Sequence, residues 1–230
     1  MAQANHLTCE YNSNPLGIDT ARPRFSWWMD DPRPGAAQTA YHLQVATAPF
    51  AGTATDSGAT PAGLCWDTGE VDAGDSVLVV YSGEPLRSRT RYYYRVRIRD
   101  HQEQWGEWSE ASWFETAFLS QDEWQASWIG PTDEDEAGGP PEGPHDSAPA
   151  PCLRTEFAAQ GPVQSARLYV AARGFAEVSL NGRPVSTDVF VPGWTDYDFR
   201  CQYLTFDATD LVSDGANAIG AILGDGWYSG

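Results

Sequence analysis

The 230-residue chain is 41% hydrophobic, which is enough to bury a core. Its length and composition therefore exclude wholesale disorder and allow one large or two small domains. It has 32 acidic and 14 basic residues, for a formal net charge of −18, and every basic residue is arginine. This balance argues against nucleic acid and anionic membranes as partners, because both bind a cationic protein face.

Membrane, metal and cofactor signals are missing from the sequence. No apolar run approaches the roughly 18 residues of a membrane-spanning helix, and the first ten residues lack a signal-peptide pattern, so we expect a cytoplasmic protein. No nucleophile elbow, phosphate-binding glycine loop, H-E-x-x-H pair or calcium loop is found, so we expect no cofactor and no metal. The cysteines lie far apart without a C-x-x-C pair, which favours free thiols. They are Cys9, Cys65, Cys152 and Cys201.

Aromatic and turn residues predict short strands throughout the first part of the chain. The sequence holds 10 Trp, 10 Tyr, 9 Phe, 22 Gly and 16 Pro. The clearest strand is RYYYRVRIR at 91–99, where Tyr92, Tyr94, Val96 and Ile98 fall on one face in a period of two. Strands at such spacing favour a β-sandwich. We predict them at 41–47, 65–71, 77–81, 90–100 and 112–116.

Two motifs beside this strand support a sandwich of the fibronectin type III kind. LRSRTRY at 86–92 resembles its tyrosine corner, in which the phenol hydrogen-bonds back across a turn. WGEWS at 105–109 resembles its W-S-x-W-S box, with Gly106 in place of the first serine. The two tryptophans could form a sugar-stacking platform, but packing against the alternating arginines of the 91–99 strand is the simpler interpretation.

A proline-rich acidic segment at 131–151 divides the chain. It carries six acids, six prolines and three glycines without a large apolar side chain, so it cannot bury enough surface to offset its ordering entropy. We therefore predict a fibronectin type III-like β-sandwich at 1–130, a linker or exposed loop at 131–151, and a second β-domain at 152–230.

The second domain is predicted to be an incomplete jelly roll. The Asn181-Gly182 pair between apolar stretches predicts a type I′ hairpin, since both residues need a positive φ. ANAIGAILG at 216–224 is typical of a strand buried on both faces. The number of strands falls below the eight of a jelly roll, so we expect a truncated domain. They are predicted at 153–158, 164–171, 175–180, 202–207 and 216–223.

In order and spacing, stretches along nearly the whole chain resemble the amino-terminal region of bacterial α-L-rhamnosidases, a large inverting glycoside hydrolase family. In the first domain the stretches are NPLGID at 14–19, PRFSW at 23–27, YHLQVA at 41–46, WDTGE at 66–70, WGEWS at 105–109, WFETA at 113–117 and SWIG at 127–130. In the second they are LRTEF at 153–157, ARLYV at 166–170, LNG at 180–182, PGWTDYD at 192–198, NAIG at 217–220 and LGDGWY at 223–228.

The resemblance implies a carbohydrate-binding-like (galactose-binding-like) jelly roll and a function in rhamnoside hydrolysis. Family members continue into a helical (α/α)₆ barrel that supplies the catalytic carboxylates, so we assign no catalytic residue here and expect the chain alone to be inactive. Its expected partners are the missing catalytic barrel domain and, through the parent enzyme, a rhamnosyl glycoside. Three features depart from the family pattern: Asp225 where asparagine is more usual, the long acidic linker, and Cys152.

Two loops combine aromatic faces with carboxylate acceptors, as a sugar site requires. Trp194 and Asp196 lie in the first loop, and Asp225 and Trp227 lie in the second. These four residues are our candidate carbohydrate contacts. The alternative is that the tryptophans fill a core or a domain interface.

Three functions therefore remain open. The first is the non-catalytic amino-terminal portion of an α-L-rhamnosidase, encoded as a fragment. The others are a stand-alone two-domain carbohydrate-binding module and a protein-interaction module that docks through its aromatic face.

Overall fold

A computed structural model describes residues 1–50, 60–131 and 150–228. The chain divides into two compact units, Met1–Gln125 and Ala126–Gly230. Of the predicted linker 131–151, positions 132–149 lie outside the described residues, so its conformation stays a prediction. In the described ranges no helix has the length and apolar character needed to cross a bilayer.

The described part of the first unit forms two antiparallel sheets, as a β-sandwich requires. One sheet has the strand order β1-β2-β5 and the other β4-β3-β6-β7. This arrangement confirms the predicted all-β sandwich. The strands are β1 (Gln3–Cys9), β2 (Arg24–Asp30), β3 (Gln38–Ala46), β4 (Leu64–Asp67), β5 (Val79–Val80), β6 (Arg91–Asp100) and β7 (Ser112–Glu115).

An aromatic core joins these two sheets. Phe25 of β2 lies 4.7 Å from Tyr94 and 5.6 Å from Phe114, measured between ring centroids. Phe25, Tyr94 and Phe114 are fully buried. Each such side chain contributes about 1.5–3 kcal/mol by leaving water, so this cluster contributes substantially to the unit's stability.

Both predicted sandwich motifs are present in the first unit. The Tyr92 hydroxyl accepts a hydrogen bond of 2.7 Å from the Arg87 backbone N–H, which confirms the tyrosine corner. Trp108 is only 4% exposed, with the Arg95 and Arg97 guanidinium groups 4.2 and 5.0 Å from its ring. Packing against arginine therefore accounts for Trp108. Gly106 cannot be serine here, because a Cβ atom would lie 2.0 Å from the Ala2 carbonyl oxygen.

The described part of the second unit also contains two antiparallel sheets. Their strand orders are β11-β10-β13-β8 and β12-β9. Asn181 and Gly182 have φ angles of 52° and 76°, which confirms the predicted hairpin turn. The strands are β8 (Cys152–Ala159), β9 (Arg167–Ala171), β10 (Phe175–Leu180), β11 (Arg183–Pro184), β12 (Tyr203–Asp207) and β13 (Gly215–Gly224).

Strand β13 has the two sheet neighbours that its sequence predicts, but its faces are not covered. It pairs with β10 on one side and β8 on the other. Of its ten residues, Asn217 is the one that is buried, and Ile222 is 49% exposed. The composition correctly predicts a central strand, whereas burial on both faces is not found among the described residues.

Candidate functional site

The two candidate loops belong to the second unit and lie at its surface. The first, 192–198, falls between β11 and β12, and the second, 224–228, follows β13. Trp194 is 64% exposed and Trp227 is 59% exposed. Both indoles thus have area available to a ligand, as carbohydrate contact requires.

In the first loop, Trp194 points to solvent because the next residue, Thr195, is buried. Thr195 is 6% exposed, and its hydroxyl donates a 2.6 Å hydrogen bond to the Arg200 carbonyl oxygen. The Asp196 carbonyl oxygen accepts from the backbone N–H groups of Phe199 and Arg200, at 3.0 and 2.9 Å. The loop therefore closes as a turn, with Trp194 and the Asp196 side chain on its outside.

Tyrosine rings bring the two loops together. The Tyr197 and Tyr228 rings meet edge to face, with their centroids 5.8 Å apart. The Tyr197 hydroxyl also accepts a 3.2 Å hydrogen bond from the Gly174 backbone N–H. Loops separated by about thirty positions in the sequence thus form one surface, which we call the aromatic patch: residues 192–198 and 224–228 with Arg173.

Arg173 gives the aromatic patch its positive charge. Its guanidinium carbon lies 5.5 Å from the Tyr228 ring centroid and 5.2 Å from that of Trp128. One of its nitrogens donates to the Tyr228 hydroxyl at 3.3 Å. Arg173 sits in the turn between β9 and β10, where no sequence motif marked it, so sequence reasoning missed it.

The four candidate residues lie in the aromatic patch, but the contact that holds its two loops together is made by other side chains. Trp227 packs edge-on against Phe175 at 5.2 Å, so part of its ring serves the unit's own packing. Among the described residues, the ring contact between the loops is made by Tyr197 and Tyr228. Trp194, Asp196, Asp225 and Trp227 therefore share one region of the surface, and sugar contact by them stays a prediction.

The carboxylates of the aromatic patch are available as hydrogen-bond acceptors. Within the described residues, neither the Asp196 nor the Asp225 side chain takes part in an ion pair. Asp196 accepts one hydrogen bond, of 3.2 Å, from the Asp198 backbone N–H. Carboxylate oxygens beside exposed indoles can accept from the hydroxyl groups of a sugar, whose C–H face packs on the ring.

The described residues near the aromatic patch offer neither a reactive thiolate nor a cluster of metal ligands. Burial raises the pKa of the Cys201 thiol, even though Arg173 acts in the opposite direction, so the reactive thiolate is disfavoured. No cluster of three or more His, Cys, Asp or Glu side chains suited to a metal ion occurs within the described ranges.

Elsewhere in the described residues, hydrogen bonds from arginine side chains favour the ionised form of several carboxyl groups. Hydrogen bonds from Arg24 lower the pKa of Glu10, and hydrogen bonds from Arg33 lower the pKa values of Asp31 and Asp100. Among the described residues, five carboxyl groups have a pKa below its ordinary value. They are Glu10, Asp31, Asp67, Asp100 and Glu123. A glycosidase general acid needs a raised pKa, so none of these groups suits that role.

Fold and site together define a two-unit β-protein with an exposed aromatic patch on its second unit. A family model described as "Rha78A-like, N-terminal immunoglobulin domain" matches residues 4–120. A second, "Alpha-L-rhamnosidase N-terminal domain", matches residues 161–230. The chain belongs to the Rha78A-like family and corresponds to the N-terminal region of α-L-rhamnosidases.

Curated relatives are similar over nearly the whole chain. An α-L-rhamnosidase of Alteromonas sp. (strain LOR) is 36% identical, over 94% of this chain and 23% of its own length. One of Formosa agariphila is 35% identical, over 100% of this chain and 24% of its own. The chain therefore spans about a quarter of the length of these relatives.

Solved structures agree with both the fold and the coverage. The α-L-rhamnosidase of Dictyoglumus thermophilum matches 98% of this chain and 25% of its own, with a TM-score of 0.83 and 33% identity. The Streptomyces avermitilis α-L-rhamnosidase complexed with L-rhamnose matches 98% of this chain and 22% of its own, with a TM-score of 0.53 and 32% identity. These similarities confirm the predicted family and all-β class.

Proposed function

We propose that this chain is the non-catalytic amino-terminal portion of an α-L-rhamnosidase. The parent enzyme would hydrolyse terminal α-L-rhamnosyl residues, using a catalytic domain outside these 230 residues. The observation that carries the proposal is the coverage: relatives named α-L-rhamnosidase match almost all of this chain with about a quarter of their own length. The lowered carboxyl pKa values are consistent with it, because inverting hydrolysis needs a protonated acid opposite a base.

The proposed physical role is that of a scaffold that docks against other parts of the parent enzyme. The central sheet of the second unit supports this role, since its register places several apolar side chains on one face. Leu153, Val178 and Ala221 occupy that face, and Phe157 at its edge is 40% exposed. Covering an apolar sheet face with another polypeptide surface lowers the free energy, because it removes apolar area from water.

An activity assay tests the proposal directly. We expect the purified chain to hydrolyse an aryl α-L-rhamnoside no faster than the uncatalysed background, because the proposal assigns the catalytic acid and base to another domain of the parent enzyme. A matched sample of a full-length relative confirms that the assay works. Sustained hydrolysis by the isolated chain, retained through further purification, would refute a non-catalytic role.

We further propose that the aromatic patch contacts sugar through Trp194, Asp196, Asp225 and Trp227. Exposed indoles beside acceptor carboxylates support this role. Titration with L-rhamnose should change the tryptophan fluorescence of the native chain, and Trp194→Ala should remove most of the change. Trp28→Ala is the matched control, since Trp28 is a similarly exposed indole in the first unit, at 66%. Equal responses of the two variants would rule out contact by Trp194.

The alternative function is a stand-alone carbohydrate-binding or protein-interaction module, which the exposed aromatic patch favours. The two functions differ in what covers the sheet face of the second unit. Mixing the chain with the separately produced remainder of a relative should yield a stable complex if the scaffold role is right. Sugar binding without any such association would favour the independent module.

A further inference from the structure

A cleft in the first unit offers a second place where a ligand could bind, apart from the aromatic patch. It has a volume of about 470 Å³, within the usual range for small-molecule sites. Its lining belongs to β3, to β4 with the residues that follow it, and to the segment that contains β5. The lining residues on which the argument depends are Tyr41, Thr68, Asp75, Val77, Leu78 and Val80.

One polar side chain in this cleft has no hydrogen-bond partner in the described part of the chain. Tyr41 as a whole is 8% exposed, and its hydroxyl, which makes no hydrogen bond to any described residue, is accessible from the cleft. Burial, and to a lesser degree the nearby Asp75 carboxylate, raises the pKa of this phenol, so it keeps its proton and can donate. An accessible hydroxyl without a protein partner has hydrogen-bonding capacity left for a ligand.

The remaining polar groups of the cleft are acceptors or neutral donors. Asp75 and Ser82 make no side-chain hydrogen bond within the described part of the chain. Burial, the largest influence on Asp67, raises its pKa, but hydrogen bonds from the Gly69 N–H, Gln44 and His42 together lower it below its ordinary value. Asp67 is therefore ionised, and no arginine lines the cleft. An anionic ligand is excluded by this charge.

The apolar wall of the cleft favours a neutral ligand over a cationic one. Val77 and Val80 are 68% and 44% exposed beside the cleft, where they present aliphatic surface. Two aromatic rings that could surround a cation are already engaged: Trp66 packs edge-on against Tyr81 at 5.0 Å, and Tyr41 packs edge-on against Trp27 at 5.2 Å. An aliphatic wall opposite hydroxyl and carboxylate groups suits a molecule with C–H faces and hydroxyl edges.

The backbone of the cleft is held in an unusual conformation. Leu78 has a φ of +56°, a left-handed conformation that is sterically unfavourable for a non-glycine residue. Its N–H donates a 2.9 Å hydrogen bond to the Ser26 hydroxyl, which fixes it there. The valine segment is thus positioned across from Tyr41 by the fold itself, before any ligand arrives.

We propose that this cleft binds the ring of a neutral sugar, with the Tyr41 hydroxyl and the Asp75 carboxylate meeting its hydroxyl groups and the valine wall meeting its C–H face. The inference does not depend on the proposed function, because it rests on the first unit alone.

Amide NMR spectra of the whole chain test this proposal. L-Rhamnose, D-glucose and D-galactose would be titrated separately to about 100 mM, which reaches weak millimolar binding. At least one sugar should shift the amides of Thr68 and Leu78 saturably. Tyr41→Phe and Asp75→Asn should each weaken that binding about fivefold or more. Tyr93→Phe is the matched control, and it should bind like the native chain because Tyr93 does not line the cleft.

Several results would overturn the proposal. These are the absence of saturable cleft shifts with all three sugars, unchanged binding by both cleft variants, or saturable cleft shifts with choline chloride but with no sugar. Melting curves verify that each variant is folded. Shifts at the amides of Trp194 and Trp227 report on the aromatic patch separately, so failure of one site is distinguishable from failure of the other.

Discussion

The two units are built from similar antiparallel strands, yet they bury their apolar side chains to different degrees. In the first unit, Phe25 and Phe114 are fully buried between two sheets. In the described part of the second unit, the buried apolar residues are small ones, apart from Leu180: they are Ala172, Ala176, Leu180 and Ala208. Strand pairing and core closure are therefore separate properties, since pairing satisfies the backbone while closure needs a second covering layer.

The largest expected effect comes from removing a phenyl ring in each unit. Phe25→Ala should lower the free energy of unfolding of the first unit by about 3–5 kcal/mol, because it leaves a cavity in a close-packed core. Phe157→Ala should cost under about 1 kcal/mol, since 40% of this side chain is already exposed. Urea titration followed by amide signals of each unit measures both values. Similar losses of unfolding free energy in the two variants would contradict the difference in core burial between the two units.

Acid should weaken the first unit, and the buried Asp100 carboxylate should contribute to this effect. Hydrogen bonds from Arg33, then from the backbone N–H groups of Gln104 and Gln102, lower the pKa of Asp100 to about 2. Between about pH 4 and pH 2 the unfolded chain thus binds more protons at this group than the native chain does, and stability falls as the pH falls. Urea midpoints measured across this range should decline.

Asp100→Asn should make that decline less steep for the first unit, while the other carboxyl groups with lowered pKa values maintain the rest of it. Asp72→Asn serves as the control, because the Asp72 side chain is 82% exposed and its pair with Arg99 is screened by solvent. An unchanged pH slope in Asp100→Asn would show that another group is responsible for the acid sensitivity.

The smallest expected effect concerns the tyrosine corner. Tyr92→Phe removes the hydroxyl that accepts from the Arg87 N–H, and this should cost about 1 kcal/mol of unfolding free energy. Tyr93→Phe, on the opposite face of the same strand, should be close to neutral. The difference in urea midpoint between the two variants measures the hydrogen bond. No difference would mean that the corner does not stabilise the first unit.

Sequence reasoning predicted the strands whose periodicity is strong and missed those whose signal is weak. The alternation at 91–99 marks β6, and the apolar run at 216–224 marks β13 as a central strand. Strand β1 was missed, because His6 has a φ of 46° and the register with β2 shifts between Asn5 and Thr8. Such an irregularity breaks the period of two on which the prediction depends.

Sites could be predicted only as far as they are local in sequence. The loops around Trp194 and Trp227 were predicted from their own residues, but their meeting through Tyr197 and Tyr228 depends on tertiary packing. The cleft beside Tyr41 gave no sequence signal, since its lining comes from segments between positions 41 and 82 whose proximity follows from sheet order. Arg173 likewise carried no motif.

The central claim is that the apolar sheet of the second unit is partly uncovered. Amide hydrogen exchange on the whole chain tests this claim most directly. The amides of Val96 and Ile98 in β6 should exchange far more slowly than those of Ile219 and Ile222 in β13, because local opening costs less where little apolar surface is buried. Equal protection of both pairs, with a single cooperative melting transition, would contradict the account and indicate a closed second unit.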